Sequence, residues 1–341
     1  MKVSDFDYDL PAELIAQHPL ENRSSSRLLV LDRKTGLISH HYFSDLLTML
    51  GPNDVLVLND TKVIPSRIYG NKIDTDALIE LLLLEEVAPN EWEALVRPAR
   101  RVKVGSKISF NNKTLIATCI KVKEEGLRTF TFSYQGVFLE ILEKIGTMPL
   151  PPYIHEELID QNRYQTVYAN TYGSVAAPTA GLHFTDELLT KLKEQGVEIY
   201  YLTLHVGLGT FRPVMTDTVE KHHMHSEKYT LNHNVASSLN KAKFQKKRII
   251  SVGTTTTRTL EAIFQQENSF IDGSGETNIF IYPPYEFKAI DALITNFHLP
   301  KSTLLMLVSA FASKELIIKA YEEAIKHQYR FFSFGDAMFI K

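Results

Sequence analysis

Met148-Pro149-Leu150-Pro151-Pro152-Tyr153 divides the chain into two textures. Each proline locks its own φ and removes a backbone donor, so this cluster stiffens the chain and ends regular structure. Upstream, short candidate strands fall at residues 77–84, 91–96, 107–110, 114–121 and 129–134. They are partly alternating and are spaced by turn residues such as Val104-Gly105-Ser106 and Asn111-Asn112. That pattern predicts a small antiparallel β-barrel or sandwich, followed by a helix over residues 136–145.

Downstream, strands and helices alternate. Helix 186–195 stops at Gly196 and strand 198–204 follows, as expected of a glycine helix stop. Helix 234–243 leads to strand 248–252, and helix 258–266 leads to strands near 278–281 and 291–295. Helices 302–312 and 315–327 close the series. Before the β-rich stretch, Val55-Leu56-Val57-Leu58 follows the turn Gly51-Pro52-Asn53-Asp54 and reads as a buried strand. Such alternation predicts a largely parallel sheet covered by helices. The expected architecture is an α/β catalytic domain over residues 1–64 and 151–341, interrupted by an inserted small antiparallel β-barrel domain over residues 65–150.

Composition narrows the class. The 341 residues are 44% hydrophobic and 23% charged, enough to bury a core without covalent staples. Cys119 is the single cysteine, which rules out an intramolecular disulfide and a cysteine-based zinc site. The opening Met1-Lys2-Val3-Ser4-Asp5-Phe6-Asp7 lacks the apolar region of a secretory signal, and the most apolar stretch, 303–311, is too short to span a bilayer. A cytoplasmic protein without a membrane partner is expected.

Basic side chains number 37 and acidic ones 40, a net charge of -3. Any nucleic-acid contact must then use local clusters rather than a global excess. Arg97, Arg100, Arg101, Lys103 and Lys107 form one cluster, and Lys241, Lys243, Lys246, Lys247 and Arg248 a second. Charge alone reads each as a solvated face.

Four segments carry residues suited to chemistry. Val175-Ala176-Ala177-Pro178-Thr179-Ala180-Gly181-Leu182-His183-Phe184 is rich in small residues that let a ligand approach the backbone, and His183 can carry protons near neutrality. Thr203-Leu204-His205-Val206-Gly207-Leu208-Gly209-Thr210-Phe211-Arg212 is a strand feeding a Gly-x-Gly turn, but Arg212 stands where a dinucleotide fingerprint needs a third glycine. Ile249-Ile250-Ser251-Val252-Gly253-Thr254-Thr255-Thr256-Thr257-Arg258 leads a buried strand into a helix. A helix N-terminus favours anions, and no Gly-Lys-Ser/Thr ending makes this a P-loop. Thr295-Asn296-Phe297-His298-Leu299-Pro300-Lys301-Ser302-Thr303 places an amide, a ring and an imidazole at a strand end.

A metal reading would rest on Lys221-His222-His223-Met224-His225-Ser226-Glu227. It has no His-Glu-x-x-His spacing, so incidental histidines in a polar loop are expected and no metal is assigned.

Taken together, these motifs resemble the S-adenosylmethionine:tRNA ribosyltransferase-isomerase family. Also similar are Asn59-Asp60-Thr61-Lys62-Val63-Ile64-Pro65-Ser66-Arg67, Met224-His225-Ser226-Glu227, and Tyr329-Arg330-Phe331-Phe332-Ser333-Phe334-Gly335-Asp336-Ala337-Met338. Residues 72–139 match only loosely, so an RNA-binding role for Arg97, Arg100, Arg101 and Lys103 rests on charge.

The resemblance implies transfer and isomerisation of the ribosyl part of S-adenosylmethionine onto 7-aminomethyl-7-deazaguanine at the wobble position in the tRNA anticodon loop. The product is epoxyqueuosine-tRNA, with adenine and methionine released. S-adenosylmethionine is then a consumed substrate, no further cofactor is expected, and the enzyme is expected to be a monomer. An S-adenosylmethionine-dependent RNA methyltransferase is the alternative.

The sulfonium acidifies protons on the adjacent ribose carbon, so a base must remove one of these or deprotonate the incoming aminomethyl group, and adenine departure needs a proton donor. Histidine suits both tasks. His183 and His205 are the expected acid–base pair, Glu227 an anion facing the sulfonium or ammonium charge, and Arg258 the holder of the methionine carboxylate. Gly207, Gly209, Thr254, Thr255, Asn296 and His298 complete the expected substrate contacts.

Overall fold

The computed structural model describes residues 1–207 and 214–341. Its contacts divide into two compact units. One comprises Met1–Thr61, Pro152–Thr171 and Ala177–Lys341, and the other Lys62–Pro151 and Tyr172–Ala176.

The chain opens with strands β1 (Arg27–Leu31) and β2 (Ile38–Tyr42), a short helix α1 (Leu46–Met49), β3 (Asp54–Asn59) and β4 (Thr61–Val63). β5 (Arg67–Lys72), β6 (Leu78–Ala88), β7 (Glu91–Arg97), β8 (Lys107–Phe110), β9 (Leu115–Val122) and β10 (Leu127–Tyr134) follow. These six close an antiparallel barrel in the order β10-β7-β6-β5-β8-β9. Its turns use residues that tolerate positive φ: Asn90 between β6 and β7, and Asn111-Asn112-Lys113 between β8 and β9. Alternation decides which side faces inward. In β7, Trp92, Ala94 and Val96 are buried while their neighbours are less so, and they join Ile79, Phe110 and Phe130 in one core. Helix α2 (Phe138–Ile145) adds Ile141 and Leu142 to that core. The barrel expected from texture is present.

Beyond the prolines come β11 (Thr171–Ser174), α3 (Asp186–Glu194), β12 (Glu198–Leu204), β13 (Glu227–Leu231), α4 (His233–Phe244) and β14 (Arg248–Val252). Then follow α5 (Thr254–Glu267), β15 (Gly273–Thr277), β16 (Ala292–Asn296), α6 (Thr303–Ala312), α7 (Lys314–Lys326) and β17 (Ala337–Ile340). Among the described residues the main sheet has the order β15-β13-β12-β3-β14-β16-β17-β1-β2.

This sheet is mixed, which corrects the expectation of a largely parallel one. Its centre, β12-β3-β14-β16, is parallel. β3 is buried at every position, as a central strand covered on both faces should be. The flanks are antiparallel at β12/β13, β13/β15, β16/β17 and β1/β2. One crossover helix returns a chain for parallel pairing. Two helices, α6 and α7, separate β16 from β17 and leave the chain to re-enter in the opposite sense.

Two further expectations are revised. The strand near residues 278–281 lies instead at Gly273–Thr277, an exposed edge strand held by its ladder to β13. Phe280 packs on Tyr282 and on the His222 ring rather than entering a ladder, just ahead of Pro283 and Pro284, which lack N–H groups. Helix α5 begins at Thr254, not at Arg258. Thr256 and Thr257 donate their hydroxyls to the carbonyls of Val252 and Gly253, which lets β-branched residues occupy a first helical turn.

Among the described residues no helix is long and apolar enough to cross a membrane.

Candidate active site

The C-terminal ends of the parallel strands β14 and β16, with the loop after β12, surround a cavity of about 660 Å³ including its mouth. That lies within the range of small-molecule sites, and strand C-termini are where open α/β sheets bind ligands. Gly253, Thr254 and Thr255 form one wall, Thr295 to Leu299 another, and Ala177 to Ala180 a third. Val206, Ser302, Leu304, Tyr153, Phe332 and Ser333 complete the lining.

Gly253 connects β14 to α5 with φ 88° and ψ 152°, a conformation essentially reserved for glycine. Its N–H bonds the Ile294 carbonyl at 2.8 Å. The start of the fourteen-residue helix α5 is thereby set against the cavity. The hydroxyls of Thr256 and Thr257 are turned back to the backbone, while Thr254 and Thr255 line the cavity.

Asn296 is the junction of the buried polar network. Thr179 donates to its Oδ1 at 3.0 Å, and its Nδ2 donates to the Phe332 carbonyl at 3.1 Å and to His183 Nε2 at 3.1 Å. Ser26 donates its hydroxyl to the Arg23 carbonyl, so its Oγ accepts from His183 Nδ1, 2.7 Å away. Both nitrogens of His183 are thus engaged, and its ring stacks on Phe43. Burial first, then the Arg23 and Arg330 charges, push the His183 pKa down to about 3. The ring is neutral at physiological pH. It lines a smaller recess with Arg23, Ser26 and Arg163, and Ser333 borders both that recess and the main cavity.

His298 lines the main cavity directly. Its Nε2 pairs with the Thr295 hydroxyl at 2.9 Å, and its backbone is pinned by the Tyr8 and Tyr321 hydroxyls. Burial pushes its pKa down to about 3 as well.

Glu227, expected to face a cationic part of the substrate, and Arg258, expected to hold the methionine carboxylate, are each other's partners. Arg258 Nη2 donates to Glu227 Oε2, and the Gly207 N–H donates to Glu227 Oε1 at 3.2 Å. Their side chains are 2% and 4% exposed, so the pair is fully desolvated. Arg258 lies in the second turn of α5 rather than at its tip, and its Nε and Nη1 have no partner among the described residues.

His205 stands apart from His183. Its Nδ1 is 2.9 Å from the Thr61 hydroxyl, and its side chain borders a separate opening with Lys228, Tyr229 and Glu276. Burial lowers its pKa, against an opposing pull from Asp60. Its neighbour Val206 lines the main cavity. Gly209, like Arg212, lies outside the described residues.

The basic clusters differ. Arg97, Arg100, Arg101 and Lys103 are all exposed on the barrel unit: Arg97 ends β7, Arg100 and Arg101 lie in the turn Ala99–Arg101 that follows, and Lys103 comes just after it. In the second cluster, Lys243 pairs with Asp291, Lys247 with Glu198 and Arg248 with Asp54, so these three charges are locally compensated.

Ser26, Tyr153, Thr179 and Phe332 are site residues that sequence pattern does not single out. Tyr153, Thr179 and Phe332 sit inside quoted motifs and Ser26 outside them, but none has a distinctive side chain, and only its partners reveal its place.

The sequence pattern of the queuosine biosynthesis protein family matches residues 3–340. A solved structure of an S-adenosylmethionine tRNA ribosyltransferase from Thermotoga maritima is 41% identical. The match covers 99% of this chain and 100% of that one, with a TM-score of 0.57. This chain belongs to the queuosine biosynthesis protein family.

Proposed function

We propose that this protein transfers and isomerises the ribosyl group of S-adenosylmethionine onto 7-aminomethyl-7-deazaguanine in the tRNA anticodon loop, releasing adenine and methionine. The observation that carries this reading is the end-to-end match at 41% identity to an S-adenosylmethionine tRNA ribosyltransferase, over both the barrel and the mixed sheet. The methyltransferase alternative is not favoured, because the same match names ribosyl transfer.

The cavity at the ends of β14 and β16 supports a nucleoside site. Thr254 and Thr255 offer hydroxyls at a helix N-terminus, and Asn296 and His298 offer hydrogen-bonding edges for a base or ribose. Glu227, bound to Arg258, supplies the carboxylate nearest the Gly207 backbone, and Arg258 keeps two donors for an anionic group such as the methionine carboxylate. His183 acts through Asn296: both its nitrogens are bonded, and burial opposes its protonation. His205, half-buried and less strongly perturbed, is the better proton carrier of the two. The exposed arginines of the barrel unit suit tRNA phosphates. A cytoplasmic, monomeric enzyme that needs no resident cofactor completes the proposal.

Incubation with S-adenosylmethionine labelled in the adenine ring, together with precursor-bearing tRNA, tests it. Free adenine and methionine are expected in equal amounts. Release of S-adenosylhomocysteine instead would establish methyl transfer, and binding without turnover would reduce the protein to an RNA-binding module.

A further inference from the structure

We propose that His40, Glu323 and His327 bind a divalent transition cation of the zinc class, at a site separate from the nucleoside cavity. His40 lies on β2, the edge strand of the main sheet. Glu323 and His327 lie one helical turn apart at the C-terminal end of α7, a spacing that puts both side chains on one face.

The donor atoms already converge. Glu323 Oε1 is 2.8 Å from His327 Nε2 and 3.8 Å from His40 Nε2, and all three donors lie within 4.8 Å of one another. Tetrahedral zinc with bonds of about 2.0–2.1 Å holds its donors about 3.3 Å apart. The needed shifts are small side-chain rotations at positions 36%, 32% and 46% exposed for His40, Glu323 and His327.

The second nitrogen of His40 strengthens the case. Its Nδ1 is 2.8 Å from the Tyr329 hydroxyl. With Nδ1–H donated to that oxygen, the Nε2 lone pair faces the other two donors. Metal-bound imidazoles are held in this way, the remote nitrogen fixing tautomer and ring orientation. The surrounding cations do not occupy the donors. Arg27 lies over the Tyr329 ring and pairs with Asp336, and Lys326 approaches the other carboxylate oxygen of Glu323.

Two imidazoles and one carboxylate suit zinc and its neighbours in the transition series, whereas calcium and magnesium prefer all-oxygen shells. Three protein ligands leave a fourth position for water. Bound there, the ion ties an edge strand, which has a ladder on one side only, to the end of α7.

Zinc titration of the full chain by calorimetry at neutral pH tests the proposal, with Co²⁺ as a spectroscopic substitute. The expected result is one ion per chain and visible Co²⁺ absorption of a low-coordinate nitrogen–oxygen site. His40→Ala and His327→Ala should each weaken zinc binding by at least about tenfold, and should abolish the zinc-induced rise in Tm. His223→Ala, in the other histidine-rich segment, should leave both unchanged. Absence of stoichiometric binding, equal affinity in the two site variants and the wild type, or loss of binding in His223→Ala instead would overturn it.

Discussion

Arg258 donates to Glu227 across 31 residues of sequence, and both side chains are withdrawn from solvent. A buried charge pair has a characteristic asymmetry. Removing one member strands the other, whereas replacing both with apolar groups can be nearly neutral. Glu227→Gln should therefore cost about 3–5 kcal/mol of stability. The double apolar replacement Glu227→Leu with Arg258→Met should recover much of that loss while leaving the protein unable to bind S-adenosylmethionine. Urea denaturation of the three proteins checks this. A single variant as stable as the wild type would deny the pair its structural role.

Burial of His183 and His298 is expected to make the protein acid-sensitive. Both have folded-state pKa values of about 3 against an ordinary value of 6.5. Between those values the unfolded chain binds protons that the folded chain refuses. The stability held above about pH 6.5 is therefore lost as pH falls toward 3, with a slope of up to about 1.4 kcal/mol per pH unit for each histidine. His183→Gln should flatten the dependence of the urea midpoint between pH 6.5 and 4. An unchanged slope would show that His183 is protonated in the folded protein.

In turnover, His183 acts by positioning Asn296, so His183→Ala should lower adenine release by about 10²-fold, the scale of a misplaced positioning group. Because His183 bonds Asn296 rather than opening to the main cavity, Asn296→Ala should lower kcat to a similar degree, and the double variant should be little worse than either single. Additive losses would separate the two residues.

Gly253→Ala isolates backbone conformation from packing. An added Cβ would meet Ala180 Cβ and Thr255 Oγ1 at 3.7 Å, which is ordinary contact, so strain at φ 88° is what remains. A loss of about 1–3 kcal/mol is expected, together with weaker S-adenosylmethionine binding as the start of α5 shifts. Calorimetric Tm and ligand titration measure the two effects.

Arg100→Glu with Arg101→Glu should weaken tRNA binding and make it less salt-dependent. Every phosphate that is no longer neutralised takes about 0.7–0.9 off the slope of log K against log salt. An unchanged slope would show that these arginines do not touch RNA.

Local pattern makes much of this protein legible in its sequence. β8, β12 and β14 begin and end where that pattern places them, because burial on a pleated strand writes its period into neighbouring residues. The barrel follows from the same alternation, and family membership follows from long motifs in which every residue is read in order. Tertiary structure alone decided the rest. The direction of β17 beside β16 is settled by how the chain re-enters the sheet after α6 and α7, not by the strand's composition. The partners of His183, Ser26 and Asn296, lie 157 and 113 residues away, and the partner of Glu227 is Arg258, 31 residues on. Side-chain type announces what a residue can donate or accept, but which group receives the bond is settled only when distant segments pack and water is excluded.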